Sequence, residues 1–165
     1  ERPVFAADYG VYSHRLGDMW LVGGASNTGG AVLERFFTVQ EMAAMAQVID
    51  HSQTTGLDYY PLLPPGERFP LNDPDCPPRL DPRPEDPTLF YHGILEGIAR
   101  IEQQGYRRLQ LLGAPLPSQV FSIGGGSVNE AWRQIRQRLL GVPVVKAAMQ
   151  QAAYGAALLA AQGSR

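Results

Sequence analysis

Two short β-type runs, "GVYSHRL" (10–16) and "MWLVGGAS" (19–26), stand on either side of Gly17-Asp18. They predict a hairpin whose glycine supplies the positive φ of a tight turn. A helical pattern follows in "GGAVLERFF" (29–37), with Asn27 or Thr28 placed to cap it and Gly29 and Gly30 in its first turn. "TVQEMAAMAQVIDHS" (38–52) predicts a second helix, with Thr38 as N-cap and Glu41 as its capping-box partner. Between Thr88 and Leu112 the apolar positions Phe90, Ile94, Ile98, Ile101, Leu109 and Leu112 suit one long helix. Gly105 weakens it by about 1 kcal/mol against alanine. The last third alternates: "QVFSI" as a buried strand, "SVNEAWRQIRQRLL" as a helix ended by Gly141, "VPVV" as a strand, and "QQAAYGAALLAAQ" as a final helix. Early strands followed by β-α-β-α alternation predict an α/β domain.

Residues 61–87 break the pattern, because ten of the fourteen prolines fall there. Proline removes amide donors and fixes φ, so this is a long extended loop rather than a sheet interior. A loop of that length in a compact domain is more often functional or interface-forming than idle. A solvent-exposed irregular insertion is the other reading.

Composition narrows the class. At 165 residues, 44% apolar and 18% charged, the chain is one ordinary domain with a real core. A formal charge of −2 gives no electrostatic case for nucleic acid or an anionic membrane. Cys76 is the lone cysteine, so the chain can build neither an internal disulfide nor a thiolate metal cluster. His14, His51 and His92 form no HxxxH pair and read as surface or core residues. A reducing cytoplasm is the expected compartment. The residues at hand predict no signal peptide, and "AAYGAALLAA" is too short to span a bilayer. The opening "ERPVFAADYG", without an initiator methionine, suggests a piece of a longer polypeptide.

Candidate chemistry centres on Gly124-Gly125-Gly126, between a strand and a helix. Amides at such a turn point outward and the helix dipole favours anions. Bare backbone also lets a flat ring or a phosphate approach without a Cβ in the way. The spacing fits neither GxxxxGK[ST] nor GxGxxG. In the following helix Val128, Ala131, Ile135 and Leu139 form an apolar stripe, and Asn129, Trp132, Arg133 and Arg136 fall on an adjacent face. Asn129 can hydrogen-bond a ligand edge; Trp132 can either cover an apolar ring or pack in the core. The earlier cluster "GGASNTGG" repeats the order of strand, small residues and helix start. Two such sites suit a nucleotide whose base and phosphates are held by separate loops. Two independent tight turns fit the spacing equally well.

"SIGGGSVNEAWRQIRQRLLGVPV" resembles the adenosine motif of the FGGY carbohydrate kinases. "GILEGIA" (93–99) resembles that family's LEGIA helix, "PGERFPLNDP" (65–74) its GER loop, and "YGAALLAA" (154–161) its closing helix. "WLVGGASNTGGAVLERFF" is similar to the strand and helix after its second phosphate motif, and the pieces occur in the family's order. "GVYSHRLGDMWLVGGASNTGG" resembles most the xylulose-kinase-like or D-ribulose kinase branch. The resemblance implies an α/β, actin-like (ribonuclease H-like) fold. It implies that residues 1–165 are the C-terminal nucleotide-binding lobe of a two-lobe kinase, carrying the proline-rich loop 61–87. The N-terminal lobe, the sugar-binding residues and the catalytic aspartate would then lie upstream.

What the resemblance implies for function is transfer of the ATP γ-phosphoryl group, with Mg²⁺, to a hydroxyl of a pentulose, D-ribulose or D-xylulose. Another polyol such as glycerol, or a non-catalytic binding domain of the same fold, is the alternative. By the same resemblance Gly124, Gly125 and Gly126 form the adenosine platform, with Gly125 the nearest contact. Asn129 would hydrogen-bond the nucleotide, Trp132 would line the adenine pocket, and Gly30 would lie near the triphosphate. Glu34 stands where the family often has glutamine. No catalytic residue or metal ligand is assigned in this chain, so the chain alone is expected to be inactive. The sequence departs from the family where "RLDPRPEDPTLF" replaces a glycine-rich run before the LEGIA helix, and where Gly93 replaces alanine or serine.

Overall fold

The computed structural model describes residues 2–163. The predicted hairpin is present: β1 (Tyr12–Leu16) and β2 (Met19–Gly23) pair antiparallel, with Leu16 opposite Met19. Gly17 turns between them at φ 57°. The helix expected over 29–37 is a single turn, α1 (Ala31–Glu34), with Gly30 at its N-cap and no side-chain cap. Asn27 and Thr28 do not cap it because both are bonded elsewhere. The Asn27 N–H donates to Glu67 (2.7 Å) and its side-chain amide to the Gly66 carbonyl (3.0 Å), while the Thr28 hydroxyl donates to the Pro61 carbonyl.

The next helix, α2 (Val39–Val48), opens with the full capping box: Thr38 accepts from the Glu41 N–H and Glu41 accepts from the Thr38 N–H. It stops short of residue 52 because the Asp50 carboxylate takes the N–H and hydroxyl of Ser52 in a local turn. The long helix α3 (Pro87–Leu111) begins at Asp86, whose side chain accepts from the Thr88 N–H, with proline at the first helical position. Phe90 through Ala99 are all buried, so this half of α3 is surrounded rather than amphipathic.

What surrounds it includes the proline-rich segment. Within it Pro61, Leu62, Phe69 and Cys76 are buried, as are Tyr59 and Tyr60 just before it, while most of residues 71–87 are exposed. Phe36, Phe37, Phe90, Tyr59 and Tyr91 build an aromatic cluster with edge-on contacts, as in Phe36–Phe90 at 5.2 Å and Phe37–Tyr91 at 5.6 Å.

The second half follows the predicted order. β3 (Val120–Ser122) and β4 (Val144–Lys146) pair parallel, with Val120 opposite Val144, and α4 (Glu130–Leu140) crosses between them. Ala131 and Ile135 bury as expected, and Gly141 ends the helix at φ 71°. Val128 does not join their stripe and is 71% exposed. A 3-10 turn over Gly125–Val128 precedes α4, so Val128 is out of phase with the helix. The final helix is α5 (Ala152–Gly163). Among the described residues no helix is long and apolar enough to cross a membrane.

Three elements are joined by one buried carboxylate. Glu96 of α3 is fully buried and takes the N–H and hydroxyl of Thr55, the Arg100 guanidinium at 2.8 Å and the Arg138 guanidinium from α4 at 2.7 Å. Burial alone would raise its pKa; the bonds from Arg138 and Thr55 and the Arg100 charge hold it below the ordinary carboxylate value.

Candidate functional site

β3 runs out at Ser122, and the chain reverses through Gly124, whose φ of 81° suits glycine. The turn is closed from within: the Ser127 N–H and hydroxyl both bond the Gly124 carbonyl, at 3.0 and 2.7 Å. Asn129 then caps α4, its Oδ1 accepting from the Trp132 N–H at 3.0 Å, while its Nδ2 donates to the Tyr91 hydroxyl at 2.6 Å. The amide given to a ligand edge by sequence reasoning is thus engaged at both ends, and it ties the turn to the central helix.

The glycines fall into two groups by what lies where a side chain would be. A Cβ at Gly126 would sit 2.4 Å from Trp132 Cζ3, and one at Gly30 would sit 3.9 Å from the same atom. These two glycines, from clusters far apart in sequence, face one indole. By contrast, a Cβ at Gly124, Gly125 or Gly29 would meet nothing within 4 Å. The backbone there is bare toward open space.

Trp132 therefore lies between the two glycine segments. It is partly buried and packed against the main core, with its Nε1 buried and without a hydrogen-bond partner. The Arg136 guanidinium lies 5.9 Å from the ring centroid. The indole thus packs against the core on one side and lines the neighbouring cavity on the other.

Beside this indole is a cavity of about 580 Å³, lined by Gly30, Gly126 and Trp132, by Val22 to Gly24, and by the α3 residues Ile98, Ile101 and Tyr106 among others. Gly124, Gly125 and Asn129 stand outside that lining. Its polar element is a bidentate ion pair: Arg136 bonds Glu102 at 2.7 and 2.8 Å and donates to the Ser122 hydroxyl at 2.7 Å. Burial, with the Glu102 charge adding, pushes the Tyr106 phenol up. Neither Glu102 nor Tyr106 was legible as a site residue, since each reads as a helix position with no motif around it. Glu34, one turn beyond Gly30, is exposed. Among the described residues there is no group of three or more His, Cys, Asp or Glu that could hold a metal.

Comparison with known proteins places this geometry. The model for the C-terminal domain of the FGGY family of carbohydrate kinases matches residues 2–164. The L-fuculokinase of Escherichia coli K12 is 36% identical over 55 residues, which is 33% of this chain and 12% of that protein. The Salmonella typhi L-fuculokinase is 34% identical over the same shares. Among solved structures, ligand-bound xylulose kinase from Lactobacillus acidophilus superposes with a TM-score of 0.73 at 22% identity, over 93% of this chain and 33% of that one. Gluconate kinase from the same organism gives 0.74 at 20%, with the same coverage. The chain thus spans about a third of the length of either structure. The likeness shows the fold, an α/β lobe of the actin-like type.

Proposed function

Because the chain belongs to the FGGY family of carbohydrate kinases, as its C-terminal domain, we propose that it is the nucleotide-binding lobe of an ATP-dependent sugar kinase. The observation that carries the reading is the convergence of the two glycine segments on Trp132, with open backbone at Gly29, Gly124 and Gly125. On this reading a purine lies on the Gly124-Gly125 peptide and the phosphates lie toward Gly29-Gly30. Trp132 supports both segments from beneath instead of covering the ring. Asn129 holds the platform against Tyr91 and α4, and its remaining N–H is the group available to the nucleotide.

Phosphoryl transfer asks the protein chiefly to position reactants and to stabilise charge. Mg²⁺ would neutralise phosphate charge when bound. On the family reading its protein ligand, the catalytic base and the sugar-binding residues belong to the other lobe. For the sugar we propose a pentulose, D-xylulose or D-ribulose. The wording of residues 10–30 supports this branch, and xylulose kinase is among the structural neighbours.

The test follows from Gly125. Its φ is not in the left-handed region and its Cβ position is empty, so Gly125→Val is expected to fold, which its thermal unfolding checks. Calorimetry on the complete natural polypeptide should show ATP affinity at least about tenfold weaker in the variant, a loss of ~1.4 kcal/mol. Equal affinities would refute the platform. Assay of the wild type against D-xylulose, D-ribulose, L-fuculose, gluconate and glycerol decides the sugar.

A further inference from the structure

The turn that carries Gly29 and Gly30 has little secondary structure to hold it, since it lies between β2 and the four-residue α1. It is held by a side chain about forty residues away. Glu67, in the proline-rich segment, is 2% exposed. One carboxylate oxygen accepts from the Ser26 hydroxyl at 2.6 Å and the Tyr60 hydroxyl at 3.0 Å. The other accepts from the backbone N–H of Asn27 at 2.7 Å and of Arg68 at 2.9 Å. Around this centre the Asn27 side chain is gripped at both ends: its Nδ2 donates to the Gly66 carbonyl and its Oδ1 accepts from Arg68 Nε at 2.7 Å.

The partner set is unusual for a buried acid. Among the described residues the ion pairs go to Asp18, Asp58, Glu96, Glu102 and Glu130, and none goes to Glu67. Burying a carboxylate without a cation is costly unless its lone pairs are filled. Here five neutral donors fill them, the Phe69 N–H being the longest at 3.4 Å, and two of those donors belong to residues 26 and 27. The Tyr60 phenol on the same oxygen is pushed up, by burial first and then by the Glu67 charge. The shape of the site needs donors arranged around an acceptor, not a counter-charge. A glutamine keeps the oxygen that accepts from the backbone amides and, by donating from Nε2 to the two hydroxyls, retains contacts to both with the bond direction reversed.

We infer that Glu67 is a positioning residue for the nucleotide: through Ser26 and Asn27 it fixes the 26–30 turn, whose glycines face the phosphates on the reading above. The inference rests on the nucleotide reading above. Glu67 touches no reacting atom. It acts by fixing where the Gly29-Gly30 peptide stands, and the same loop lines the cavity through Ser26, Thr28 and Gly30.

The experiment uses the complete natural polypeptide as wild type, Glu67→Gln and Glu67→Ala. Amide hydrogen exchange at residues 26–30 and the separate KM values for ATP and sugar are measured. Glu67→Ala should speed exchange in that turn while α3 and α4 stay protected. Its KM for ATP should rise about tenfold, ~1.4 kcal/mol, with the sugar KM unchanged. Glu67→Gln should stay near wild type in both readouts. A fall in kcat alone, with KM for ATP unchanged, is what a purely structural role gives and overturns the inference. If Glu67→Ala does not fold, Ser26→Ala deletes one of the two bonds to the turn, and an unchanged KM for ATP there has the same force. Absence of ATP binding by the wild type would overturn the function reading itself, whereas wild-type binding with an unaffected Glu67→Ala overturns this inference alone.

Discussion

Gly105→Ala tests whether packing or helix propensity rules the middle of α3. Propensity alone says the substitution stabilises by about 1 kcal/mol, because glycine is the poorer helix former. The structure says the opposite. A Cβ at residue 105 would lie 2.7 Å from Phe69 Cε1. An exposed ring could swing away, but this one is buried and has glycine on its other side as well: a Cβ at Gly24 would lie 2.5 Å from Phe69 Cγ and Cδ2. Phe69 is thus seated between two bare backbones, so moving away from residue 105 toward Gly24 brings it against the other one, and its free side is the cavity it lines.

Overpacking of this kind costs about 1–3 kcal/mol. Set against the propensity gain, the net is a destabilisation of about 1 kcal/mol, or a Tm lower by about 2–4 °C for a chain of this size. Thermal and urea unfolding of wild type, Gly105→Ala, Phe69→Leu and the double variant measure it. Leucine ends at Cδ, so the atom that meets residue 105 is absent, and in that background Gly105→Ala should stabilise. A sign change of this sort is a coupling well above additivity error. If Gly105→Ala raises Tm in the wild-type background, or has the same effect in both, the wedge argument is wrong.

The two groups of glycines predict opposite outcomes: Gly126→Ala should destabilise by about 1–3 kcal/mol through collision with Trp132, while Gly125→Ala should leave Tm unchanged. Equal shifts in thermal unfolding would contradict the split. Thr38→Ala removes the side-chain half of the α2 capping box and should cost about 1 kcal/mol, with Thr38→Ser near neutral in the same assay. Stability should also fall in two stages on acidification. Burial, opposed by the Glu96 charge, depresses the His92 pKa, so the unfolded chain takes up protons first and stability declines as pH drops below about 6.5. Glu96, also depressed, adds a second decline below the ordinary carboxylate range. Urea midpoints across pH should lose the first limb in His92→Gln, and its persistence there would disprove the assignment.

What could be read from the residues was what neighbouring residues decide among themselves. The Gly17 turn, the Thr38–Glu41 box, the Gly141 stop and the span of α3 depend on local geometry, and each is found. The misreadings at Asn27, Thr28 and Val128 share a cause: a stronger partner or a change of phase that periodicity does not encode. Asn27 and Thr28 had the right chemistry to cap a helix, but Gly66 and Arg68 hold the Asn27 side chain and Pro61 that of Thr28, all from another segment. Val128 had the right spacing, but the 3-10 turn shifts it off the stripe.

The site shows the same boundary more sharply. Both glycine clusters could be found as runs of small residues between a strand and a helix, yet glycine is required there for two opposed reasons. At Gly126, as at Gly24 and Gly105, a neighbouring ring occupies the space a side chain would need. At Gly124 and Gly125 nothing in the protein fills that space. Folding therefore accounts for the first group, and for Gly124 its positive φ does so as well. It does not account for Gly125, whose backbone is ordinary and whose surroundings are empty. The same holds for Gly23, Gly29 and Gly155; on the proposed nucleotide reading it is at residues 29 and 125, in the two glycine clusters, that a bound ligand supplies the physical reason.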